Sequence, residues 1–117
     1  MSTPVLPLSP AIRHGDTLYL SGQIAFDGAG RLVGEDVAGQ TRQVIANIET
    51  VLGTYELQLS DIFKATIWLT DRSDFSAFNA VYSEYFEAGA FPVRSTVVSD
   101  LAIEGAKIEI EVMARLS

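Results

Sequence analysis

The 117-residue chain contains no cysteine and a single histidine, His14. Disulfide bonds and thiol nucleophiles are therefore excluded, and a zinc site, which takes several His, Cys or carboxylate ligands, is not expected. A Ser-His-Asp triad would depend on this one histidine, and no G-x-S-x-G nucleophile motif accompanies it. Because His14 precedes the turn-forming pair Gly15-Asp16, we interpret it as a surface residue of a turn.

Basic residues are also scarce, since eight Lys and Arg stand against 15 Asp and Glu, for a net charge of −7 and a pI of about 4.5. Nucleic-acid binding draws much of its affinity from basic groups that neutralise phosphates, so we expect no nucleic-acid partner. No apolar run approaches the roughly 18 residues of a membrane helix, and the N-terminal segment lacks the basic and apolar regions of a secretory signal. The sequence thus predicts a cytoplasmic protein without a membrane partner.

Apolar residues make up 48 % of the chain, enough for one core in a single domain over residues 1–117. A 3.6-residue spacing predicts a long amphipathic helix over 36–57, and Asp74 is placed to cap a second helix with an aromatic stripe. Alternating apolar residues predict five strands, near 11–14, 17–25, 62–70, 94–99 and 107–114. This order favours an α+β fold in which both helices cover one face of a mixed β-sheet.

The opposite face of the predicted sheet collects polar and mixed side chains. Alternation assigns Phe63 and Ala65, for example, to the helix-covered face. The mixed face is predicted to hold Tyr19, Ser21, Gln23, Thr66, Trp68, Arg94, Thr96, Glu109, Glu111 and Met113. A half-solvated sheet face and a subunit interface with a polar pocket are both consistent with this pattern.

Arg94 stands out among the candidate site residues because it opens a strand directly after Pro92-Val93. Its guanidinium can hold a substrate carboxylate by two parallel hydrogen bonds, or it can form a salt bridge with Glu109 or Glu111. One of these glutamates could act as a general acid or base through a water, although two carboxylates on one strand face are often simply solvated.

Two further polar residues and one glycine pair have less specific interpretations. Ser21 can hydrogen-bond a ligand or merely satisfy neighbouring groups. Asn79, within the second helix, is interpreted as capping a neighbouring loop rather than binding substrate. Gly28 and Gly30 form only a G-x-G, which indicates a turn and not a phosphate-binding loop.

Five segments, in the same order, resemble the RidA/YjgF family, which has long carried the label endoribonuclease L-PSP. Two of them are residues 15–24 (GDTLYLSGQI) and 91–95 (FPVRS), and the specificity comes from all five segments standing in register rather than from any one of them. The others are the 40–52 stretch of the first helix, residues 74–86 of the second helix, and the final strand 107–114 (KIEIEVMA). The resemblance extends over nearly the whole chain.

This resemblance implies a chorismate-mutase-like fold, assembled as a homotrimer with clefts between adjacent subunits. It also implies deamination, without a cofactor, of reactive 2-imino and enamine acids, such as 2-iminopropionate, to 2-keto acids and ammonia. Arg94 would anchor the substrate carboxylate, and Glu109 would orient or protonate through the attacking water. Backbone groups near Thr96 would bind the water or polarise the nitrogen, and Ser21 would line the cleft.

Two positions depart from the family pattern. Leu8 stands where many family deaminases carry a tyrosine, and Thr96 stands where a cysteine is common. The missing tyrosine hydroxyl removes a polar contact and can change the substrate or the rate. A second hypothesis is therefore a non-catalytic trimer that binds small carboxylates or acts as a chaperone. RNA cleavage is a third hypothesis, which the acidic pI disfavours.

Overall fold

The structure, a computed structural model, describes residues 6–116 of the chain. Its regular elements are β1 Ala11–His14, β2 Thr17–Leu20, α1 Val37–Gly53, β3 Ile62–Leu69, α2 Phe75–Tyr82, β4 Val93–Val98 and β5 Ile108–Arg115. Short 3-10 turns stand before β3, before α2 and after α2, at Leu59–Asp61, Arg72–Asp74 and Ser83–Tyr85. The predicted order of strands and helices is confirmed, whereas the single domain over 1–117 stays a prediction.

The five strands form a mixed sheet in the order β1-β2-β5-β3-β4. β3 and β4 run parallel, with α2 as their crossover connection, and the other neighbouring strands are antiparallel. β4 is therefore an edge strand, whereas β5 is central. Alternate residues of β5 are buried under the helices, namely Ile108, Ile110, Val112 and Ala114.

Both helices pack on the same face of the sheet, as predicted. α1 begins after Asp36, whose carboxylate accepts a hydrogen bond from the Gly39 N–H at 2.8 Å. The helix then buries an apolar stripe that includes Ile48 and Leu52, and α2 adds Phe78 and Tyr82 to the same core. This two-layer arrangement confirms the α+β fold class.

The helix ends differ from the sequence prediction. α1 ends at Gly53, and α2 has only eight residues because Ser83–Tyr85 continue as a 3-10 turn. Asp74 precedes α2, but its side chain makes no capping hydrogen bond. Asp71 instead accepts one from the Ser73 N–H at 2.8 Å and begins the preceding turn.

Within the described residues, no helix has both the length and the apolar character needed to span a bilayer.

A register shift in β3 changes which of its residues face the core. Ile62 is buried and Phe63 is 44 % exposed, so the prediction that Phe63 shares the core face with Ala65 was wrong. A bulge adds one residue to a strand and thereby interrupts the alternation of its side chains. The strand predicted over 17–25 is also shorter, since β2 ends at Leu20.

After β2 the regular strand pairing stops, apart from a bridge between Gln23 and Ile110 of β5, and side chains of α1 bind the segment. Asn47 Nδ2 donates to the carbonyl oxygens of Ile24 and Phe26 at 3.1 and 2.8 Å, and Gln43 Nε2 donates to Asn47 Oδ1 at 2.9 Å. These bonds satisfy backbone acceptors that a continuing strand would have paired in the sheet. The α1 side chains thus position the residues that follow Ser21 and Gly22.

Candidate active site

Strand β4 presents Arg94 and Thr96 to the helix-covered face of the sheet. In the parallel β3–β4 ladder, Arg94 is in register with Ala65 and Thr96 with Ile67, and residues in register point to the same face. Ala65 and Ile67 belong to the buried core. The prediction that Arg94 and Thr96 share the mixed face with Glu109 was therefore wrong.

Four side chains of α2 surround the Arg94 guanidinium. Asn79 Oδ1 accepts a hydrogen bond from Arg94 Nη2 at 2.6 Å. The guanidinium carbon lies 5.9, 5.2 and 5.1 Å from the ring centroids of Phe75, Phe78 and Tyr82, within the range of cation–π attraction. These five residues are called the Arg94 cluster below.

The Arg94 guanidinium forms no ion pair with any carboxylate of residues 6–116. The ion pair found among those residues joins Arg42 to Glu84 at 3.0 Å on an exposed surface. An arginine has five N–H donors, and the contacts in this part of the chain use one of them. The remaining donors can therefore hold a ligand carboxylate. A salt bridge from Arg94 to Glu109 or Glu111 within one chain, considered as an alternative above, is wrong.

A cleft of about 390 Å³ opens beside the guanidinium, lined by Asn79, Tyr82, Ser83, Phe91, Pro92 and Arg94. Arg94 is the one ionised group of this lining at neutral pH. The rings of Tyr82 and Phe91 are stacked with their centroids 6.5 Å apart, so two aromatic rings form part of the wall. A carboxylate in such a cleft meets a cation that water screens less than it would on an open surface.

A larger cleft, of about 530 Å³, lies between the end of α1 and residues 85–90. Its charged lining residues are Glu49 and Glu87, and it contains no lysine or arginine. Two carboxylates without a cation repel an anionic ligand. We therefore place the candidate site at Arg94 despite the smaller volume there.

Glu109 lies on the opposite, uncovered face of the sheet, in β5. It is paired with Trp68 of β3, and its carboxylate fills the space beside Gly22 so closely that a Cβ at residue 22 would overlap it. Burial, and to a lesser extent the charge of Glu111, raises the pKa of the Glu109 carboxyl above its ordinary value. A carboxyl with a raised pKa is suited to proton transfer nearer to neutral pH.

The hydroxyl groups of Ser21, Thr96 and Tyr82 differ in their hydrogen bonds and therefore in what they can offer a ligand. Ser21 Oγ donates to the Ser9 carbonyl oxygen at 2.6 Å, so it holds the segment before β1 and retains only acceptor capacity. The hydroxyls of Thr96 and Tyr82 are buried and have no hydrogen-bond partner among residues 6–116. Burial raises the pKa of the Tyr82 phenol, although the nearby Arg94 opposes the shift, so Tyr82 stays a neutral donor.

The predicted site residues thus form two groups on opposite faces of the sheet. Arg94 and Thr96 lie on one face, and Glu109 lies on the other beside Gly22, which follows Ser21. Sequence reasoning missed Asn79, whose interpretation as a loop cap was wrong. The available signal was its place within the aromatic stripe of α2, where an amide has no apolar role.

Comparison with known proteins identifies the family. A family model described as Endoribonuclease L-PSP matches residues 2–116. The chain belongs to the RidA/YjgF family. A RutC family protein of Pyrococcus horikoshii is 39 % identical over 112 residues, which cover 95 % of this chain and 88 % of that protein.

Other RidA/YjgF relatives extend the comparison to a named activity and to a solved structure. A 2-iminobutanoate/2-iminopropanoate deaminase of Bos taurus is 37 % identical over 109 residues, covering 92 % of this chain and 79 % of that protein. The crystal structure of a conserved Rid family protein of unknown function from Yersinia pestis has a TM-score of 0.88 and 42 % identity, covering 97 % of this chain and 90 % of that one. The family and the fold expected from the sequence are therefore confirmed.

Proposed function

We propose that this protein hydrolyses reactive 2-imino and enamine acids to 2-keto acids and ammonia. The observation that carries the proposal is the Arg94 cluster, in which a guanidinium held by neutral groups opens onto a cleft. Each 2-imino acid has a carboxylate next to the reacting carbon, and a guanidinium can bind that carboxylate by two parallel hydrogen bonds. The name of the Bos taurus relative supports the same class of reaction.

Glu109 enters the proposed site from a second copy of the chain. One chain holds Arg94 and Glu109 on opposite faces of the sheet and in strands that β3 separates, so the sheet itself lies between the two side chains. The face that carries Glu109 is uncovered and exposes apolar side chains, among them Ile12 and Tyr19, which are 59 % and 41 % exposed. Association would bury these side chains. We therefore propose a homotrimer in which each cleft combines Arg94 of one subunit with Glu109 of its neighbour.

The proposed reaction uses water and no cofactor. Arg94 holds the carboxylate, so that the imine carbon faces a water oriented by Glu109. Addition of the water forms a carbon–oxygen bond and gives a tetrahedral carbinolamine. The nitrogen gains protons while the hydroxyl loses one, the carbon–nitrogen bond breaks, and ammonia and the 2-keto acid leave. Glu109 transfers protons through the water, and Ser21 and the backbone near Thr96 are proposed to line the cleft.

The test generates 2-imino acids in situ with an amino-acid oxidase and follows their disappearance in competition with a chemical trap. We expect the native protein to accelerate imine loss and Arg94→Ala to lower kcat/KM by about 100-fold or more, because the substrate loses its anchor. Arg42→Ala is the matched control, since this arginine lies on an exposed surface and pairs with Glu84. It should retain the native rate.

Each other outcome points to a different function. Full activity in Arg94→Ala would show that the anchoring role is wrong. A folded protein that binds 2-ketobutyrate through Arg94 without accelerating imine loss would be a carboxylate-binding protein instead. Salt-sensitive RNA binding would return RNA cleavage to consideration.

A further inference from the structure

Asn79 is the hydrogen-bond partner of the Arg94 guanidinium among residues 6–116, and it carries no charge. We infer that Asn79 is a positioning residue for Arg94, whose neutral amide orients the guanidinium and leaves its positive charge to the substrate carboxylate. This inference rests on the proposed function, because it concerns how the substrate anchor works. It assigns a role to a residue that the sequence pattern alone places only in a helix stripe.

Asn79 and the aromatic rings act on the guanidinium in different ways. Phe75, Phe78 and Tyr82 surround the guanidinium carbon at similar distances. Cation–π attraction is not directed at one particular N–H group, so the rings restrict the place of the guanidinium but not which of its edges meets the cleft. The 2.6 Å bond from Nη2 to Asn79 Oδ1 engages one nitrogen and thereby selects the edge. Asn79 and Arg94 both line the cleft, so the selected orientation decides which N–H groups a ligand there can reach.

The charge of the partner decides what the guanidinium can still bind. An aspartate has nearly the same shape as asparagine and would accept the same bond more strongly, as an ion pair. An incoming carboxylate would then face a negative neighbour across an already neutralised cation. The chain contains 15 Asp and Glu residues, yet none of them lines the cleft beside Arg94. Because residue 79 is an asparagine, the side chain that is hydrogen-bonded to the guanidinium also carries no negative charge.

The test compares Asn79→Asp and Asn79→Ala with the native protein in two assays. One assay is imine turnover, and the other is calorimetric binding of 2-ketobutyrate, a stable 2-keto acid. For Asn79→Asp we expect KM and the 2-ketobutyrate Kd to rise about tenfold or more, because like charges meet in the cleft, with no fall in the unfolding temperature. For Asn79→Ala we expect a smaller rise in KM and a lower kcat, because the cation remains but its orientation is lost.

Two matched variants separate positioning from structural effects. Ala77→Asp adds the same charge at an exposed position of α2 and should leave KM at the native value. Asn47→Asp changes the other asparagine of the chain, which donates to two backbone carbonyls that an aspartate cannot serve. It should lower the unfolding temperature, whereas Asn79→Asp should not, since Asn79 acts as an acceptor.

The outcomes distinguish this inference from the proposed function. If Arg94→Ala abolishes turnover but Asn79→Asp binds 2-ketobutyrate as Ala77→Asp does, the inference is overturned and the deaminase proposal stands. If the native protein binds 2-ketobutyrate without turnover and Asn79→Asp abolishes the binding, the inference stands and the deaminase proposal fails.

Discussion

At the scale of single residues, the Glu109 carboxyl is defined by its close contact with Gly22 and by its raised pKa. Its carboxylate occupies the space that a Cβ at residue 22 would need, so a side chain at that residue would displace the Glu109 carboxylate. Burial, and to a lesser extent the charge of Glu111, disfavours the charged form of the Glu109 carboxyl and raises its pKa. The raised pKa suits the Glu109 carboxyl to proton transfer, but the burial that causes it makes the charged carboxylate unfavourable to the stability of the fold.

That opposition predicts the pH dependence of stability at Glu109. A raised folded-state pKa means that the native protein holds the proton more tightly than the unfolded chain does. Stability is thus lost as the pH rises from the ordinary value of 4.5 through the raised value, and it stays lost at neutral pH. We expect Glu109→Gln to unfold at a higher temperature than the native protein at pH 7, with the difference vanishing below about pH 4.

Thermal unfolding from pH 4 to pH 8, with imine turnover measured in parallel, checks this prediction. Turnover should fall in Glu109→Gln because the amide cannot transfer a proton. A variant that is less stable than the native protein at pH 7 would contradict the prediction, since it would mean that the charged carboxylate makes a stabilising contact.

At the scale of elements, a side chain of α1 forms hydrogen bonds with neighbouring loops and holds them against the core. Gln40 is almost fully buried, and its Nε2 donates to the carbonyls of Gly34 and Gly105 at 3.2 and 3.1 Å. Its Oε1 accepts from the Lys107 N–H at 2.8 Å, directly before β5. One side chain thereby joins the helix, the loop before it and the start of the strand that carries Glu109.

We predict that Gln40→Leu destabilises the fold by roughly 2–4 kcal/mol, because it leaves two carbonyls and one N–H without their partner. Denaturant unfolding measures the change. Arg42→Ala on the same helix serves as the control, because an exposed ion pair contributes little to stability. Equal effects of the two variants would show that the loop carbonyls and N–H find water when Gln40 is absent.

At the scale of the whole molecule, the proposed trimer takes the two groups of site residues from two chains. Arg94→Ala and Glu109→Gln subunits should each be inactive alone, yet a mixed trimer contains clefts that take Arg94 from one kind and Glu109 from the other. With equal amounts and random mixing, about a quarter of the clefts receive both intact residues. We therefore predict recovery of up to about a quarter of the native activity on co-expression, whereas folding into trimers without any recovery would place both residues in one subunit's site.

The sequence by itself determined the family, the order of the elements and the two-layer arrangement. Helical and strand periodicities are local, so α1 and the central strand β5 could be predicted from nearby residues. Arg94 and Glu109 were also predicted from the sequence as site residues, through the family motifs that they occupy, and that role stays a prediction. These conclusions needed no knowledge of which strand pairs with which.

Only the tertiary structure decided which face each residue occupies and what it contacts. Arg94 faces α2 because a parallel ladder sets its register with Ala65, and register is a long-range property that alternation within one strand does not contain. The bulge in β3 exposed Phe63 for the same reason. Asn79 became a partner of Arg94 only once α2 crossed over β4, since a hydrogen bond between residues far apart in the chain depends on packing.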